Sequence, residues 1–309
     1  MKLIKFVWAV LLTLAVLTVL VILPTVLVPT EEGLRLDFMS VRRQFIVLGN
    51  SLVSGDFFIY RSGRYMRNLL ESLPAYTYTT FYYALFGSIV SLFLGLFMGM
   101  FLLRSNKARL IETAGFISLV PDFMIATILQ LLVIKLTGLT GLNLVRIAST
   151  GSDRKAILLP IITMAVTAGF YLTRSIYSHS YKELGEDFVL FAKAKGIDRR
   201  NIYIRHIFPS VVKNLRSDLK KYLTLIISNL FIIERIFNIP GISRLFFTFA
   251  YSVGWQYTGA AGKGRFTALI STQINVALIS LIALIAVYFT VYWILYGILR
   301  ILLKAASGE

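Results

Sequence analysis

The 309-residue chain contains no cysteine, only two histidines, and 15 acidic residues against 32 lysines and arginines. The absence of cysteine excludes a disulfide scaffold, a thiolate metal site and a cysteine nucleophile. The two histidines, His179 and His206, are too far apart in sequence to form a metal-binding pair on one helix. Neither a Ser/His/Asp order nor a pair of carboxylates in a polar segment is present. We therefore expect no metal site in this chain and no enzymatic activity of its own.

A nucleotide-binding phosphate loop is also missing, because no segment fits the pattern Gly-x-x-x-x-Gly-Lys-Ser/Thr. Gly262-Lys263-Gly264 has the wrong spacing, and we interpret it as a flexible loop. The chain is thus expected to carry no cofactor. Any energy that it uses must come from another chain or from an ion gradient.

The composition predicts an integral membrane protein. Hydrophobic residues make up 57% of the chain and charged residues 15%, and the mean hydropathy is +0.75. The formal net charge of +17 would favour a nucleic-acid partner in a soluble protein. Here the lysines and arginines lie in loops between apolar runs, where such residues orient helices and contact anionic lipid head groups. Membrane lipid is therefore the expected partner of this charge, and nucleic acid is not.

Six apolar runs predict an all-α fold of about six transmembrane helices, because about 20 apolar residues are needed to cross the bilayer core. The fifth run has only about 12 uninterrupted apolar or small residues, so an interfacial helix is the alternative there. The short basic loop at 104–109 is typical of the cytoplasmic side, which places both termini in the cytoplasm. Gly87, Gly95 and Gly99 in the second run predict close helix packing. The runs are 6–28, 75–103, 110–134, 156–177, 222–233 and 266–299.

The segment from Asp187 to Pro209 carries the most specific pattern in the chain. It begins Asp-Phe-Val-Leu-Phe-Ala-Lys-Ala-Lys-Gly-Ile-Asp and ends Arg-His-Ile-Phe-Pro, with nine residues between Gly196 and His206. A small-residue helix, a glycine, this spacer and an apolar-x-apolar-Pro ending resemble the cytoplasmic signature of ABC importer inner-membrane permeases, in particular their oligopeptide, dipeptide and nickel branch. The element Glu-Arg-Ile-Phe-Asn-Ile-Pro-Gly at 234–241 is similar to a further motif of these permeases.

The resemblance implies a cytoplasmic coupling loop, residues 178–221, that receives force from a separate ATP-hydrolysing subunit. We expect a short helix capped by a left-handed Gly196, then a second helix that starts at Asp198 and ends or bends at Pro209. Small residues would let the partner approach closely, and basic residues would meet an acidic groove. Leu190 replaces the acidic residue that opens the general family signature. The coupling residues are Leu190, Ala192, Lys193, Ala194, Lys195, Gly196, Arg199, Arg200, Arg205 and Pro209.

Polar residues inside the predicted spans mark a candidate substrate path, since such residues are unfavourable in lipid. Asp122 follows Pro121 near the middle of the third span, so its carboxylate should face the bundle interior, water or a cation. For the other candidates an interhelical hydrogen bond is the simpler explanation. The path candidates are Asp122, Gln130, Asn229, Gln273 and Asn275.

By the same resemblance the chain divides into four parts. These are a first transmembrane helix (1–29), an extracytoplasmic segment (30–73), a type I ABC importer-like permease core (74–299) and a cytoplasmic tail (300–309). The extracytoplasmic segment should be ordered, with short strands or an amphipathic helix near 65–70. Residues 254–265 are interpreted as an insertion.

The implied function is that of a permease subunit in the cell inner membrane, moving peptides or a similar small solute by alternating access. Its expected partners are ATPase subunits that hold ATP and magnesium, a second homologous permease and an extracytoplasmic solute-binding protein. Two alternatives belong to other classes, an ion-coupled secondary transporter and a non-transporting membrane scaffold. The first would show paired broken helices in inverted halves, and the second an identifiable soluble output domain; neither is evident. The cargo, whether peptide, nickel chelate or another solute, stays open.

Overall fold

The computed structural model describes residues 2–30, 33–63, 65–105, 108–117, 119–143, 145–151, 154–258 and 265–307. The chain forms two compact units, one of Met1–Tyr78 with Gly241–Ile285 and the other of Thr79–Pro240 with Ala286–Glu309. The four parts predicted from the sequence were defined by their expected position relative to the membrane, whereas the two units are defined by packing. The boundaries of the four parts therefore stay a prediction.

Helices dominate the described residues, and six short strands pair in three hairpins. In chain order the elements are α1 (Lys2–Ile22), β1 (Leu27–Thr30), β2 (Gly33–Leu36), α2 (Phe38–Ser54), β3 (Ile59–Ser62), β4 (Tyr65–Asn68), α3 (Leu69–Ser105), α4 (Ala108–Ile117), α5 (Asp122–Thr140), α6 (Leu158–Glu183), α7 (Asp187–Ala194), α8 (Arg199–Ile202), α9 (Phe208–Ile236), α10 (Ile242–Arg244), β5 (Tyr251–Thr258), β6 (Arg265–Thr272) and α11 (Ile274–Ser307). Short 3₁₀ or π turns occupy Leu23–Val26, Asp56–Phe58, Tyr203–Ile207 and Leu245–Ala250.

The three hairpins belong to the first unit. β1 pairs with β2, β3 with β4 and β5 with β6, all antiparallel. Between the first two hairpins, α2 starts where the Asp37 side chain accepts a hydrogen bond from Met39 N at 3.0 Å. The helix ends at Gly55, whose φ of +83° favours glycine. An apolar cluster forms the core of this unit and includes Val21, Ile22, Tyr60, Leu69, Leu245, Ile274 and Ala277.

In the second unit, α3 and α6 pack closely through glycines. A Cβ built on Gly95 would lie 2.5 Å from Leu172 Cβ, and one built on Gly99 would lie 2.7 Å from Ile176 Cγ2. Gly87 meets α6 at a similarly short distance of 2.6 Å. The helices can approach this far only because these positions carry no side chain, so the predicted close packing is confirmed.

Among the described residues, five helices are long and apolar enough to cross a membrane: Trp8–Val26, Leu69–Arg104, Asp122–Thr140, Leu158–Glu183 and Ile274–Ala305. The predicted fifth span, 222–233, lies within α9, which is 29 residues long and therefore long enough to cross. Its first half carries several lysines and arginines, so α9 is not among the five. The buried residues of α9, from Val211 to Glu234, recur along one side of the helix.

The third predicted span, 110–134, is wrong as a single helix. The structure divides it into α4 and α5, and Pro121 between them has an extended backbone, with φ −58° and ψ +138°. A proline has no backbone N–H and disfavours the helical conformation of the residue before it, which here is Val120. Asp122 consequently lies at the first residue of α5, not in the middle of a helix. Ser118 lies outside the described residues.

The sixth predicted span, 266–299, starts too early. Residues up to Thr272 form β6, which pairs with β5 in register from Tyr251 and Thr272 to Thr258 and Arg265. The helix α11 starts at Ile274 and continues to Ser307, beyond the predicted end. The described ends of the predicted insertion, 254–258 and 265, thus belong to β5 and β6, and Gly262-Lys263-Gly264 lies outside the described residues.

The remaining differences concern helix ends. α1 ends at Ile22, before the predicted end of the first span, since a 3₁₀ turn and β1 follow. α3 starts at Leu69, with the side chain of Asn68 accepting a hydrogen bond from Leu70 N at 3.0 Å. In the segment 30–73 short strands are present, but the helix lies at Phe38–Ser54, and residues 65–68 form β4.

Candidate functional site

α7 is the short helix that the sequence predicts for coupling. Its inward side chains are Val189, which is fully buried, and Ala192, which is 5% exposed. On the other side, Leu190 is 50% exposed and Phe191 62% exposed. Lys195 Nζ lies 4.5 Å from the centre of the Phe191 ring. α7 therefore presents an apolar surface beside a positive charge.

The structure places the two small residues of α7 differently. Ala192 packs inward, so it cannot offer its surface to a partner, whereas Ala194 is exposed. Close approach of a partner, as expected from the sequence, would thus take place at Ala194. The basic residues Lys193, Lys195 and Arg205 are exposed on the same segment.

A glycine turn ends α7. The φ of Gly196 is +75°, and its N–H donates to Lys193 O at 3.0 Å. Ile197 N–H donates to Ala192 O at 3.1 Å. Together these two hydrogen bonds form a Schellman motif, which commonly ends a helix at a left-handed glycine. The side chain of Asp198 then accepts from Arg200 N at 3.3 Å and caps α8. The predicted left-handed cap and the predicted start at Asp198 are both present.

The second helical piece does not end at Pro209. α8 passes through a π turn at Tyr203–Ile207 directly into α9, and Pro209 lies in the first turn of α9. A proline within a helix leaves one carbonyl without its usual donor and clashes with the preceding turn. The wider π turn immediately before Pro209 makes room for this ring, which explains why the helix continues.

The two ends of this loop are joined by side chains. Glu183, the last residue of α6, accepts hydrogen bonds through Oε1 from Ser210 Oγ and, at 3.4 Å, from Asn214 Nδ2 on α9. Its other carboxylate oxygen, Oε2, is buried without a hydrogen-bond partner among the described residues. We call this contact between Glu183, Ser210 and Asn214 the α6–α9 clasp. It joins α6 to α9 on either side of the segment that contains α7 and α8.

A polar cavity of about 620 Å³ lies in the same unit, between the start of α5, the middle of α6 and the middle of α9. It contains Asp122 and Asn229, two of the predicted path residues. Asp122 is 9% exposed, and its Oδ2 has no hydrogen-bond partner among the described residues. The other lining residues are Leu119, Val120, Pro121, Thr167, Lys221, Thr224, Leu225 and Ser228.

The other three path candidates lie elsewhere. Gln130 Nε2 donates to Ile147 O at 3.0 Å. In the first unit, Gln273 holds the backbone of β3, accepting from Arg61 N at 2.6 Å and donating to Arg61 O at 3.0 Å. Asn275 Nδ2 donates to two carbonyls of the segment before and within β3. The side-chain amides of these three residues form hydrogen bonds within the fold. Their predicted role in a substrate path stays a prediction.

The cavity also contains polar residues that the sequence reasoning missed. On α9 the lining residues recur at 221, 224, 225, 228 and 229, which is the spacing of one face of a helix. This spacing would have revealed the stripe if α9 had been recognised as one long helix from Phe208. The predicted coupling loop, 178–221, instead ends at Lys221. Thr167 on α6 had no such signal, since hydroxyl residues are common in membrane helices.

Comparison with known proteins identifies the architecture. Residues 91–307 match the family described as the inner membrane component of binding-protein-dependent transport systems. The chain belongs to this family. The permease is 26% identical, over 254 residues, to the dipeptide transport system permease protein DppB of Lactococcus lactis subsp. cremoris strain MG1363, covering 78% of this chain and 75% of that protein. It is 27% identical over 128 residues to DppB of Bacillus subtilis strain 168, covering 41% and 39% respectively.

Family membership settles several expectations. The permease is a multi-pass protein of the inner membrane and the transport component of an ABC importer, not an enzyme, and it functions with separate ATPase subunits and a solute-binding protein. The type I importer fold predicted from the sequence is confirmed. The two alternatives, a secondary transporter and a non-transporting scaffold, are thereby set aside.

Proposed function

We propose that the permease imports dipeptides or similarly short peptides by alternating access. It would do so beside a second homologous permease, with both termini in the cytoplasm and α7 seated in a groove of an ATPase subunit. The names of the two relatives support the choice of cargo, since both are dipeptide transport permeases. The polar cavity is the structural observation that carries the proposal.

The chemistry of the cavity suits a peptide with free ends. Such a peptide has an ammonium group and a carboxylate, and the cavity is lined by one carboxylate, of Asp122, and one ammonium group, of Lys221. Thr167, Ser228 and Asn229 add hydrogen-bonding groups of the kind that orient a ligand. The volume of about 620 Å³ lies within the range of about 300–1,000 Å³ that is usual for small-molecule sites.

The loop geometry supports the coupling part of the proposal. The glycine turn ends α7, and the α6–α9 clasp joins the helices before and after it, so a push on the exposed apolar surface of α7 would be passed to α6 and α9. Both helices line the cavity. ATP-driven closure of the partner subunits would therefore change the cavity through rigid elements, without a pathway of flexible loops.

Transport of modified dipeptides tests the assignment of cargo. Asp122→Asn keeps the shape of the side chain and removes its charge, so the variant should lose its preference for a free over an acetylated amino terminus. The expected loss is about 1.5–3 kcal/mol, or roughly ten- to a hundredfold in relative kcat/KM. Lys221→Gln should instead lose the preference for a free over an amidated carboxyl terminus.

Asp218→Asn is the matched control, because Asp218 is a carboxylate of α9 that does not line the cavity and faces His179 at 3.7 Å. It should leave both preferences unchanged. Unaltered discrimination by Asp122→Asn and Lys221→Gln in assembled, ATP-hydrolysing complexes would rule out the cavity as the peptide site.

A further inference from the structure

A second cavity of the second unit, of about 870 Å³, lies beside the coupling loop and has two chemically different ends. One end is apolar and is formed mainly by α3. The other end is basic and holds three arginines. The lining residues are Phe93, Leu96, Phe97, Met100, Phe101, Arg104, Asp198, Arg199, Arg200, Tyr203, Ile204, Phe208 and Leu302.

The apolar end is a stripe along one face of α3. Phe93, Phe97 and Phe101 recur every four residues, and the rings of Phe97 and Phe101 stack with their centres 6.3 Å apart. All three rings are at least half exposed, Phe97 to 70%. The opposite face of α3 carries the glycines that pack on α6, so this phenylalanine face is not used in that contact.

The basic end lies where α3 finishes and α8 begins. Arg104 is the penultimate residue of α3, and Arg199 and Arg200 are the first residues of α8. A smaller cavity of about 180 Å³ shares Arg104, Arg199 and Tyr203 and adds Lys193. Asp198 is the one acidic side chain among these lining residues, and it is already engaged as the cap of α8. The positive charge at this end is therefore in large excess.

We propose that this cavity binds one anionic phospholipid of the cytoplasmic leaflet, with its acyl chain on the phenylalanine stripe and its phosphate among the arginines. Charge complementarity favours this occupant, since arginine and lysine at the cytoplasmic end of a membrane helix are the groups that recognise anionic head groups. A free phosphate ion would fill only the basic end and would leave the apolar end of the cavity without a ligand group.

The site gives the lipid a role in coupling. Arg199 and Arg200 belong to α8, which follows the glycine turn of α7, while Arg104 belongs to α3. A phosphate bridging these arginines would fix α8 to the membrane helix and hold the coupling loop in place. Two of the five basic residues expected to contact the ATPase would then contact lipid instead. The regulatory role rests on the proposed coupling function and the choice of leaflet on the proposed orientation, but binding of an anionic lipid in this cavity does not.

Lipid retention by the purified, assembled complex tests the binding. Phospholipids that survive delipidation would be identified by mass spectrometry for the wild type, the double variant Arg199→Gln/Arg200→Gln, Phe97→Ala and Arg300→Gln. We expect the double variant to bind phosphatidylglycerol on the order of tenfold or more weakly, because each lost charge weakens attraction to an anionic head group. Phe97→Ala should also weaken retention, while Arg300→Gln, an exposed arginine of α11 outside the cavity, should not.

The effect on coupling is measured in nanodiscs of phosphatidylcholine with or without phosphatidylglycerol. The wild type should show faster cargo-stimulated ATP hydrolysis with phosphatidylglycerol, and the double variant should lose this dependence while still capturing the ATPase subunits. Loss of ATPase capture in both lipids would instead assign the arginines to the ATPase.

Besides the effect of the Arg300→Gln control, three results would overturn the lipid proposal. These are equal retention by the double variant and the wild type, displacement of the bound lipid signal by inorganic phosphate alone, and cross-linking of Phe97→Cys to the second permease. The last would show that a protein covers the phenylalanine stripe. If Arg300→Gln weakened lipid retention as much as the double variant does, the effect would be due to the general positive charge of the surface. That result would also reject the site.

Discussion

The turn at Gly196 depends on one backbone angle. Its φ is +75°, and nothing lies within 4 Å of a Cβ built there, so a substitution changes the backbone preference without a clash. Gly196→Val should strain the turn by about 1–2 kcal/mol, because the left-handed conformation is unfavourable for residues with a side chain. We expect normal membrane insertion but loss of transport and of cargo-stimulated ATP hydrolysis.

Gly196→Asn is the control for this substitution, since asparagine tolerates the left-handed conformation better than other residues with a side chain. It should keep most of the activity when both variants are assayed as purified, assembled complexes. Wild-type transport by Gly196→Val would contradict a coupling role for the turn.

The glycines of α3 have different neighbours, so we expect a glycine-to-alanine substitution to destabilise the protein to a different extent at each position. At Gly95 an added methyl group would meet Leu172 Cβ at 2.5 Å and a backbone oxygen at 3.3 Å, neither of which can rotate away. At Gly87 it would meet the flexible end of Met164 at 2.6 Å. Gly95→Ala should therefore destabilise the protein by about 1–3 kcal/mol, and Gly87→Ala by clearly less. Thermal unfolding of both variants in detergent measures this, and a reversed order would show that the glycines do not set the distance between α3 and α6.

At the scale of elements, the α6–α9 clasp joins the two ends of the coupling segment that contains α7 and α8. Glu183→Ala removes both hydrogen bonds between the helices, and a hydrogen bond to a charged group contributes about 1.5–3 kcal/mol. We expect an assembled complex with this variant to hydrolyse ATP through its ATPase subunits but to move less cargo per ATP. Glu183→Gln can still bond Ser210 and should remain close to the wild type. If Glu183→Ala transports as much cargo per ATP as the wild type, force does not pass through the clasp.

Elements with a strong local cause could be predicted from the sequence. The turn at Gly196 and the cap at Asp198 follow from side chains that act on their own backbone, so the residue pattern is sufficient. The break at Pro121 has an equally local cause, but an unbroken apolar run concealed it. Residues 266–272 are largely apolar too, but they form a strand because the preceding segment, Tyr251–Thr258, pairs with them in a hairpin. A short apolar run that leads directly into a membrane helix does not by itself distinguish a strand from the first turns of that helix.

The cavity shows the same limit at the level of a site. Asp122 and Asn229 were recognisable as polar residues in apolar surroundings, and the structure brings them together. Gln273 has the same appearance in sequence, yet its amide bonds the edge of β3. Periodicity and polarity indicate which residues are unusual in a membrane helix. Only the packing shows which groups form hydrogen bonds with them.

At the scale of the whole molecule, α9 decides the topology. It has the length of a membrane span but carries Lys213, Lys220 and Lys221, so hydropathy alone does not mark it. Its charged residues are tolerable in a membrane if they face a water-filled cavity, and Lys221 lines the polar cavity. The model with six spans and both termini inside therefore requires α9 to cross, which puts the residues before and after it on opposite sides.

Single cysteines test this topology directly, because the chain has no cysteine of its own to react. Ser54→Cys and Phe247→Cys, both at exposed positions, should react with a membrane-impermeant maleimide added outside intact cells. Asn201→Cys, on the coupling segment, should react only after permeabilisation, and Lys182→Cys at the end of α6 is its matched control. Labelling of Phe247→Cys only after permeabilisation, together with outside labelling of Ser54→Cys, would show that α9 does not cross. In that case the stripe from Lys221 to Asn229 would lie at the membrane surface, and neither the peptide site nor the coupling of α7 to it would survive.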